Sequence, residues 1–240
     1  MRVLATDLDG TFLAGNDATR AALTQRFRDD ADRWLLYVSG RSSRSVTELV
    51  SAGLLPRPDA MICDVGSYVA DASGAPLDGA LLTAIAEAWG ERSEQVKAAF
   101  AGVRGLRPQR YFGPYRVAYY YDTPEVLPEA HALADSLGCD GLVSDGQYFD
   151  VLPRGVNKGT TLRGFVETLG VASDEILVAG DTLNDLAMLT AGFPAVVVGN
   201  AEPALLAALP SDPRIYRATR PGCDGIAEAL AHHGVEVSRG

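Results

Sequence analysis

Two short acidic stretches carry the residue types that could do chemistry. The first is Asp7-Leu8-Asp9-Gly10-Thr11, one residue after the apolar run Val3-Leu4-Ala5. Carboxylates two apart at the end of a strand leave the sheet on the same side, and Gly10 allows a sharp turn straight after them. Asp and Gly are also common turn residues, but a turn alone does not explain two carboxylates at a buried strand end, where their repulsion calls for a cation. The second stretch, Gly180-Asp181-Thr182-Leu183-Asn184-Asp185, follows the apolar run Ile176-Leu177-Val178-Ala179. If the two strands are neighbours, Asp7, Asp9, Asp181 and Asp185 converge, and such a cluster suits a hard divalent cation, Mg²⁺ best. An Asp in the first turn of a helix is also favoured by the helix dipole, so Asp185 has a second reading as a capping residue.

Two further pieces would complete a phosphate site. Ser39-Gly40-Arg41 follows the run Trp34-Leu35-Leu36-Tyr37-Val38, and a hydroxyl with backbone N–H groups at a strand-to-helix junction can cradle a phosphate. Ser-Gly is equally a routine loop dipeptide. Lys158, at the start of a predicted helix, would offset the charge of a transferring phosphoryl group; a lone lysine is otherwise a solvated surface charge. Gly155-Val156-Asn157-Lys158-Gly159-Thr160 has its lysine before the glycine, so it is not a nucleotide-binding P-loop.

The elements that must position these residues alternate. Strands are predicted at 2–6, 34–38 and 60–63, with helices at 19–32 and 43–53 between them. The rhythm returns with a helix at 158–169, strands at 176–180 and 195–198, a helix at 184–191, a short strand at 214–217 and a helix at 223–233. This is the pattern of an α/β fold with a doubly wound parallel sheet. Ligands of such sheets gather at the carboxyl ends of the strands, where the Asp7, Ser39 and Asp181 pieces fall. The middle differs: a helix over 80–101, a strand at 115–121, a helix at 124–137, and strands at 140–144 and 147–152 around Asp145-Gly146, a hairpin signal. This predicts an inserted α+β domain at 79–155, with 1–78 and 156–240 forming the core.

The order of the pieces, DxDGT, then Ser39, then Lys158, then GDxxND, resembles the four motifs of the haloacid-dehalogenase (HAD) superfamily along nearly the whole chain. The resemblance implies a phosphatase with Asp7 as nucleophile and Asp9 as general acid and base. Ser39, Gly40, Lys158 and Asn184 would hold the phosphate. Asp7, Asp181 and the backbone carbonyl of Asp9 would bind Mg²⁺, with Asp185 acting through metal-bound water, and the insert would be a C2-type cap. The segments Pro58–Ser67, Val117–Asp122, Phe149–Gly159, Val197–Asn200 and Gly222–Ile226 are similar to the sucrose-phosphate phosphatase and mannosylfructose-phosphate phosphatase group. They imply a disaccharide or glycosyl-polyol phosphate as substrate. GDTLND departs from the group's GDSGND form, which keeps mannosylfructose phosphate and a glucosylglycerol-type phosphate in view. A monosaccharide phosphate or mannosyl-phosphoglycerate is an alternative, and a non-enzymatic phospho-accepting receiver domain is another of a different class. Candidate sugar contacts are Arg41, Gln147, Asp150, Arg154 and, from the run Tyr111, Tyr115, Tyr119, Tyr120 and Tyr121, chiefly Tyr119. Alternation puts Tyr120 opposite Tyr119 and Tyr121, so one face of that strand belongs to the domain's own core.

Composition narrows the class. A formal charge of −10 argues against a nucleic-acid partner, though one metal ion and a few cations can reverse the potential of a single cleft. Cys63, Cys139 and Cys223 form no CxxC pair and read as buried thiols of a reducing cytoplasm. Met1 leads straight into the first strand with no signal-peptide pattern, and no run of about 18 apolar residues predicts a membrane helix.

Overall fold

The computed structural model describes residues 1–28, 31–110 and 113–235. Five strands of the main sheet precede or follow the insert in the expected rhythm: β1 (Val3–Thr6), β2 (Trp34–Val38) and β3 (Ala60–Cys63) before it, β9 (Ile176–Gly180) and β10 (Ala195–Val197) after it, joined by β4 (Tyr68–Asp71) and β11 (Ile215–Arg217) at the edges. The order is β11-β10-β9-β1-β2-β3-β4. All neighbours are parallel except β4, which returns antiparallel beside β3. From β1 the chain winds outward to β3, then resumes on the other side with β9, so the direction reverses at the β1/β9 boundary. Thr6 pairs with Ala179 and with Tyr37, which brings the carboxyl ends of β1, β9 and β2 level. That is the crevice where ligands of open α/β sheets bind.

The strands read as apolar runs because both faces are covered. Val3, Ala5, Leu36 and Val178 pack against α6 (Lys158–Leu169), through Leu162, Phe165 and Val166. Leu4, Leu35, Met61 and Leu177 pack on the opposite face against α1 (Asp17–Arg28) and α9 (Gly222–His232). Shorter helices α2 (Ser43–Ser51), α7 (Leu186–Leu189) and α8 (Pro203–Ala208) complete the layers. The doubly wound parallel sheet with an α+β insert is therefore the fold, with β4 an antiparallel edge that the strand pattern did not reveal.

The insert folds as α3 (Ala80–Trp89), α4 (Arg92–Phe100), β5 (Leu106–Pro108), β6 (Val117–Tyr121), α5 (Leu127–Ser136), β7 (Cys139–Ser144) and β8 (Tyr148–Pro153). Its sheet is antiparallel, in the order β5-β6-β8-β7. Trp89, Val96, Phe100, Tyr119, Phe149 and Val151 form a core of its own. The single helix predicted over 80–101 is two, because Gly90 takes a left-handed φ of 56° and ends α3. Asp145 and Gly146 both have positive φ, 50° and 57°, as the tight β7–β8 hairpin requires. Among the described residues no helix is long and apolar enough to cross a membrane.

One contact fixes α6 against the β3–β4 turn. Gly66 has φ 106°, and a Cβ there would strike the backbone of Asn157 and Lys158. Gly66→Ala is expected to cost about 2–3 kcal/mol through the combined strain and clash. Gly79, with extended backbone and open space around it, is the control: Gly79→Ala leaves the denaturation midpoint unchanged. Urea unfolding of both variants checks the contrast.

Candidate active site

Asp7 follows β1, and its N–H donates to the Ala179 carbonyl at 2.9 Å, extending the β1–β9 ladder by one residue. Asp181 follows β9 next to it. The chain turns at once after Asp7: Gly10 has φ 77°, and a Cβ there would collide with Asp181 Oδ2. The Thr11 hydroxyl donates to Asp181 Oδ1 at 2.6 Å. Asn200 clamps the turn from the β10 side, its Nδ2 donating to the Gly10 carbonyl at 2.8 Å and its Oδ1 accepting from Gly222 N–H at 2.8 Å.

Lys158 is the first residue of α6, whose start is fixed by the Asn157 side chain accepting from Gly159 and Thr160 N–H. Its ammonium is fully buried and donates to Asp7 Oδ1 at 2.7 Å, Asn184 Oδ1 at 2.9 Å and Asp185 Oδ1 at 2.6 Å. Three donors meet three acceptors. Asp185 is equally enclosed: its Oδ2 accepts from the N–H groups of Asp181 and Thr182, both at 3.0 Å. With both oxygens engaged by the protein, Asp185 acts as the pillar that holds Lys158 and the β9 end together.

The charges do not balance. Asp7, Asp181 and Asp185 are buried and can bring one oxygen each within 4.8 Å of one another, against the single ammonium of Lys158. Burial pushes the Asp7 carboxyl up; Lys158 opposes this, while Asp185 and Asp181 add to it. Burial likewise raises Asp181 to about 7, against the pull of the Thr11 hydroxyl. Burial alone would lower the Lys158 ammonium, but Asp185 and Asp7 outweigh it and hold it above the ordinary lysine value. A cluster of oxygen donors with uncompensated negative charge fits a hard divalent cation.

Asp9 stands apart from this cluster. The strand ends at Thr6, so alternation does not carry through to residue 9. The Asp9 side chain is 57% exposed and faces Arg41, which donates from Nε and Nη2 to its two oxygens at 2.7 Å each. Arg41 Nη1 reaches Ser45 Oγ at 3.1 Å. The expected convergence of four carboxylates is thus a convergence of three side chains. Ser39 is buried, its hydroxyl accepting from Arg41 N–H at 3.2 Å, while Gly40, Arg41 and Ser42 border the cleft above it.

That cleft, about 790 Å³, lies between the two sheets. The core side supplies Asp7, Asp9, Arg41, Ser45, Asp181 and Asn184, and the insert supplies Gln109, Arg116, Tyr120, Ser144, Asp145, Tyr148 and Asp150. Arg41 and Asp150 are where the sequence suggested. Tyr119, Gln147 and Arg154 are not among the lining residues. Tyr119 points into the insert's core and stacks on Phe100 at 5.1 Å between ring centroids; the face of β6 left to the cleft is that of Tyr120, which lies 5.5 Å from the Tyr148 ring. Gln147 bonds its hairpin neighbour Asp145, and Arg154 is tied to Asp135 and Asp140. Tyr111 lies outside the described residues. Thr11 and Asn200 stood in motifs read for other reasons. Asp64 and Arg116 are buried where insert and core meet; in the sequence Asp64 lies within the segment Pro58–Ser67 without an assigned role, and Arg116 is not singled out, because neither lies beside another charged residue of the site.

Comparison with known proteins follows the same outline. Residues 1–234 match the family model for sucrose-6F-phosphate phosphohydrolase. A mannosylfructose-phosphate phosphatase of Agrobacterium fabrum is 31% identical over 98% of both chains. A glucosylglycerol-phosphate synthase of Pseudomonas anguilliseptica is 41% identical over 97% of this chain, which spans only 31% of that protein's length. The sucrose-phosphatase of Synechocystis, solved with sucrose and phosphate, superposes with a TM-score of 0.85 at 28% identity, over 98% of this chain and 99% of its own. By sequence, topology and the order of its acidic and basic groups, this chain belongs to the sucrose-6F-phosphate phosphohydrolase family of the HAD superfamily.

Proposed function

We propose that this chain is a Mg²⁺-dependent phosphatase that hydrolyses a disaccharide or glycosyl-polyol phosphate through an aspartyl-phosphate on Asp7. The observation that carries the reading is the buried Lys158 bridge, which holds Asp7 Oδ1 beside Asp181 at the floor of a cleft large enough for more than the phosphate. In the first step an Asp7 oxygen attacks phosphorus, and Asp9 gives its proton to the departing alkoxide. In the second, water attacks the phosphorus, Asp9 takes its proton back, and the Asp7 carboxylate is restored with release of inorganic phosphate. Both Asp9 oxygens accept from Arg41, so carrying a proton requires one of those bonds to be given up. Mg²⁺, held by Asp7, Asp181 and the backbone carbonyl of Asp9, would neutralise charge on the non-bridging oxygens. Residues 1–78 and 156–240 supply this chemistry, and residues 79–155 act as the cap that selects the sugar through Gln109, Tyr120, Tyr148 and Asp150. The three buried free thiols suit the cytoplasm as the setting. The matches to a mannosylfructose-phosphate phosphatase and to part of a glucosylglycerol-phosphate synthase favour a glycosylated substrate.

With a generic aryl phosphate and Mg²⁺, Asp7→Asn is expected to lose about three orders of magnitude of kcat or more, and Asp9→Asn about 10²–10⁴-fold. A stable phospho-form without turnover in the wild type would indicate a receiver instead. For the substrate, phosphate release is measured on glucosylglycerol phosphate, mannosylfructose phosphate and sucrose-6-phosphate beside hexose monophosphates. The glycosylated compounds are expected to be preferred; hydrolysis of hexose monophosphates alone would overturn the narrower claim.

The metal site has a pH signature. The Asp181 carboxyl sits at about 7 in the folded chain against an ordinary 3.8. Between those values the folded state holds a proton that the unfolded state lacks, so the contribution of Asp181 to metal-free stability is full below 3.8 and is lost as pH rises towards about 7. Mg²⁺ requires the ionised group, so its stabilisation grows over the same range. The rise in melting temperature on adding Mg²⁺ is expected to be larger near pH ~8 than near pH ~6; equal rises would count against these ligands. Chelation by EDTA should abolish turnover.

A further inference from the structure

Ser39, Gly40 and Arg41 present three consecutive backbone carbonyls, and each has its own donor. The Ser39 carbonyl accepts from Val65 N–H at 3.1 Å and the Arg41 carbonyl from Asp64 N–H at 2.9 Å. Both donors belong to a turn with left-handed backbone, φ 52° at Asp64 and 59° at Val65. A β-branched residue adopts that region rarely, and such strain persists only where the surroundings over-determine it. The Gly40 carbonyl between them accepts from Nη1 of Arg116 at 3.1 Å. That donor comes from the insert, from the residue just before β6.

Arg116 is 5% exposed and fixed on both sides of the boundary. Its Nη2 lies 3.0 Å from Oδ1 of Asp64 in the core, and its Nη1 lies 3.3 Å from Oδ1 of Asp150 on β8. Gly113 N–H, also from the insert, donates to Asp64 Oδ1 at 3.0 Å. A Cβ at Gly113 would strike Asp64 Oδ2, so the approach is as close as a residue without a side chain allows. Burial raises the carboxyls of both Asp64 and Asp150 against the pull of the one guanidinium. Among the described residues, Asp64 Oδ2, Asp150 Oδ1 and Arg116 Nε find no hydrogen-bond partner; the 3.3 Å approach of Nη1 to Asp150 is an ion contact without hydrogen-bond alignment, since Nη1 is aimed at Gly40. Buried charges so incompletely satisfied hold two domains together less well than apolar side chains of the same size would. Their arrangement serves placement rather than adhesion.

We propose that Arg116 is a positioning residue for phosphate binding, through which the insert completes the Ser39–Arg41 loop only when it is seated on Asp64. The proposal rests on the reading of that loop as the phosphate cradle. With all three carbonyls tied back, the loop is held with Gly40, Arg41 and Ser42 bordering the cleft, and the Arg41 N–H steadies the Ser39 hydroxyl beneath it. Seating of the insert and phosphate affinity are then one coupled equilibrium, and the coupling is reciprocal: whatever factor the seated insert adds to phosphate affinity, bound phosphate adds to seating. An ammonium cannot reproduce the planar fork that reaches Gly40 and Asp64 together, so lysine is not a conservative replacement here.

The test is calorimetric titration of inorganic phosphate, with Mg²⁺ present, into the full chain and into Arg116→Met, Arg116→Lys and Gly113→Ala, with melting curves beside each. Gly113→Ala reaches the same contact by displacing Asp64, and with Arg116→Lys it carries the test if Arg116→Met does not fold. Variants that melt cooperatively are expected to bind phosphate about tenfold more weakly. KM for an aryl phosphate, which offers no sugar to the cap, should rise in parallel, with kcat much less affected. Variants that melt like the wild type and bind phosphate within about twofold of it would overturn the proposal, as would affinities that simply follow melting temperature. If the wild type itself fails to bind phosphate, the cradle reading falls and takes this one with it; if only the variants match the wild type, the cradle stands and Arg116 loses its role.

Discussion

A lysine ammonium with no exposure to water is tolerable only when every proton has an acceptor and its charge is matched. Lys158 meets both conditions through Asp7, Asn184 and Asp185. Removing Lys158 would leave the buried carboxylates of Asp7 and Asp185 without their counter-charge, which costs far more than either bond itself contributes. The rest of the structure is arranged around that demand. β1 must lie beside β9 so that Asp7 and Asp185 reach one point. The start of α6 must be pinned, which Asn157 does from within the helix and Gly66 does by letting the β3–β4 turn approach its backbone. The excess negative charge that remains is what makes the place suitable for a divalent cation and a phosphoryl group.

The core was legible in the sequence because its constraints are local. Short apolar runs that end directly before, or one residue short of, Asp7, Ser39 and Asp181 mark strand ends, and the parallel rhythm places those ends together. Where local rules stop, so did the reading. Asp9 was expected to share the side of Asp7, but the strand ends at Thr6 and the turn sends its carboxylate to Arg41. β4 and β5, four and three residues long, are too short for alternation to show. Gly90 breaks a helix whose apolar pattern continues across it.

The insert was less legible for a different reason. Alternation predicts that Tyr119 and Tyr120 face opposite ways, and they do, but which of them meets the cleft depends on where α3 and α4 pack, and no rule within β6 determines that. The helices cover Tyr119 through Phe100 and leave Tyr120 beside Tyr148. Arg154 was a candidate sugar contact, and the fold brings it instead beside Asp135 and Asp140.

Arg116 shows the same limit from the other side. Its partners come from the Ser39–Arg41 loop at Gly40, the β3–β4 turn at Asp64 and the hairpin at Asp150, three segments far apart in the chain. No motif could join them. Such a residue is also the natural place for a two-domain enzyme to couple binding to domain placement. On the proposed reading, the core supplies Asp7 as nucleophile together with Asp181 for the cation. The Gly40 carbonyl requires the insert, because its donor comes from there. A substrate phosphate that prefers the completed loop therefore draws the insert into position over whatever is attached to the phosphate. Under that proposal, recognition of the phosphate favours the arrangement in which Tyr120, Tyr148 and Asp150 line the cleft beside the rest of the substrate.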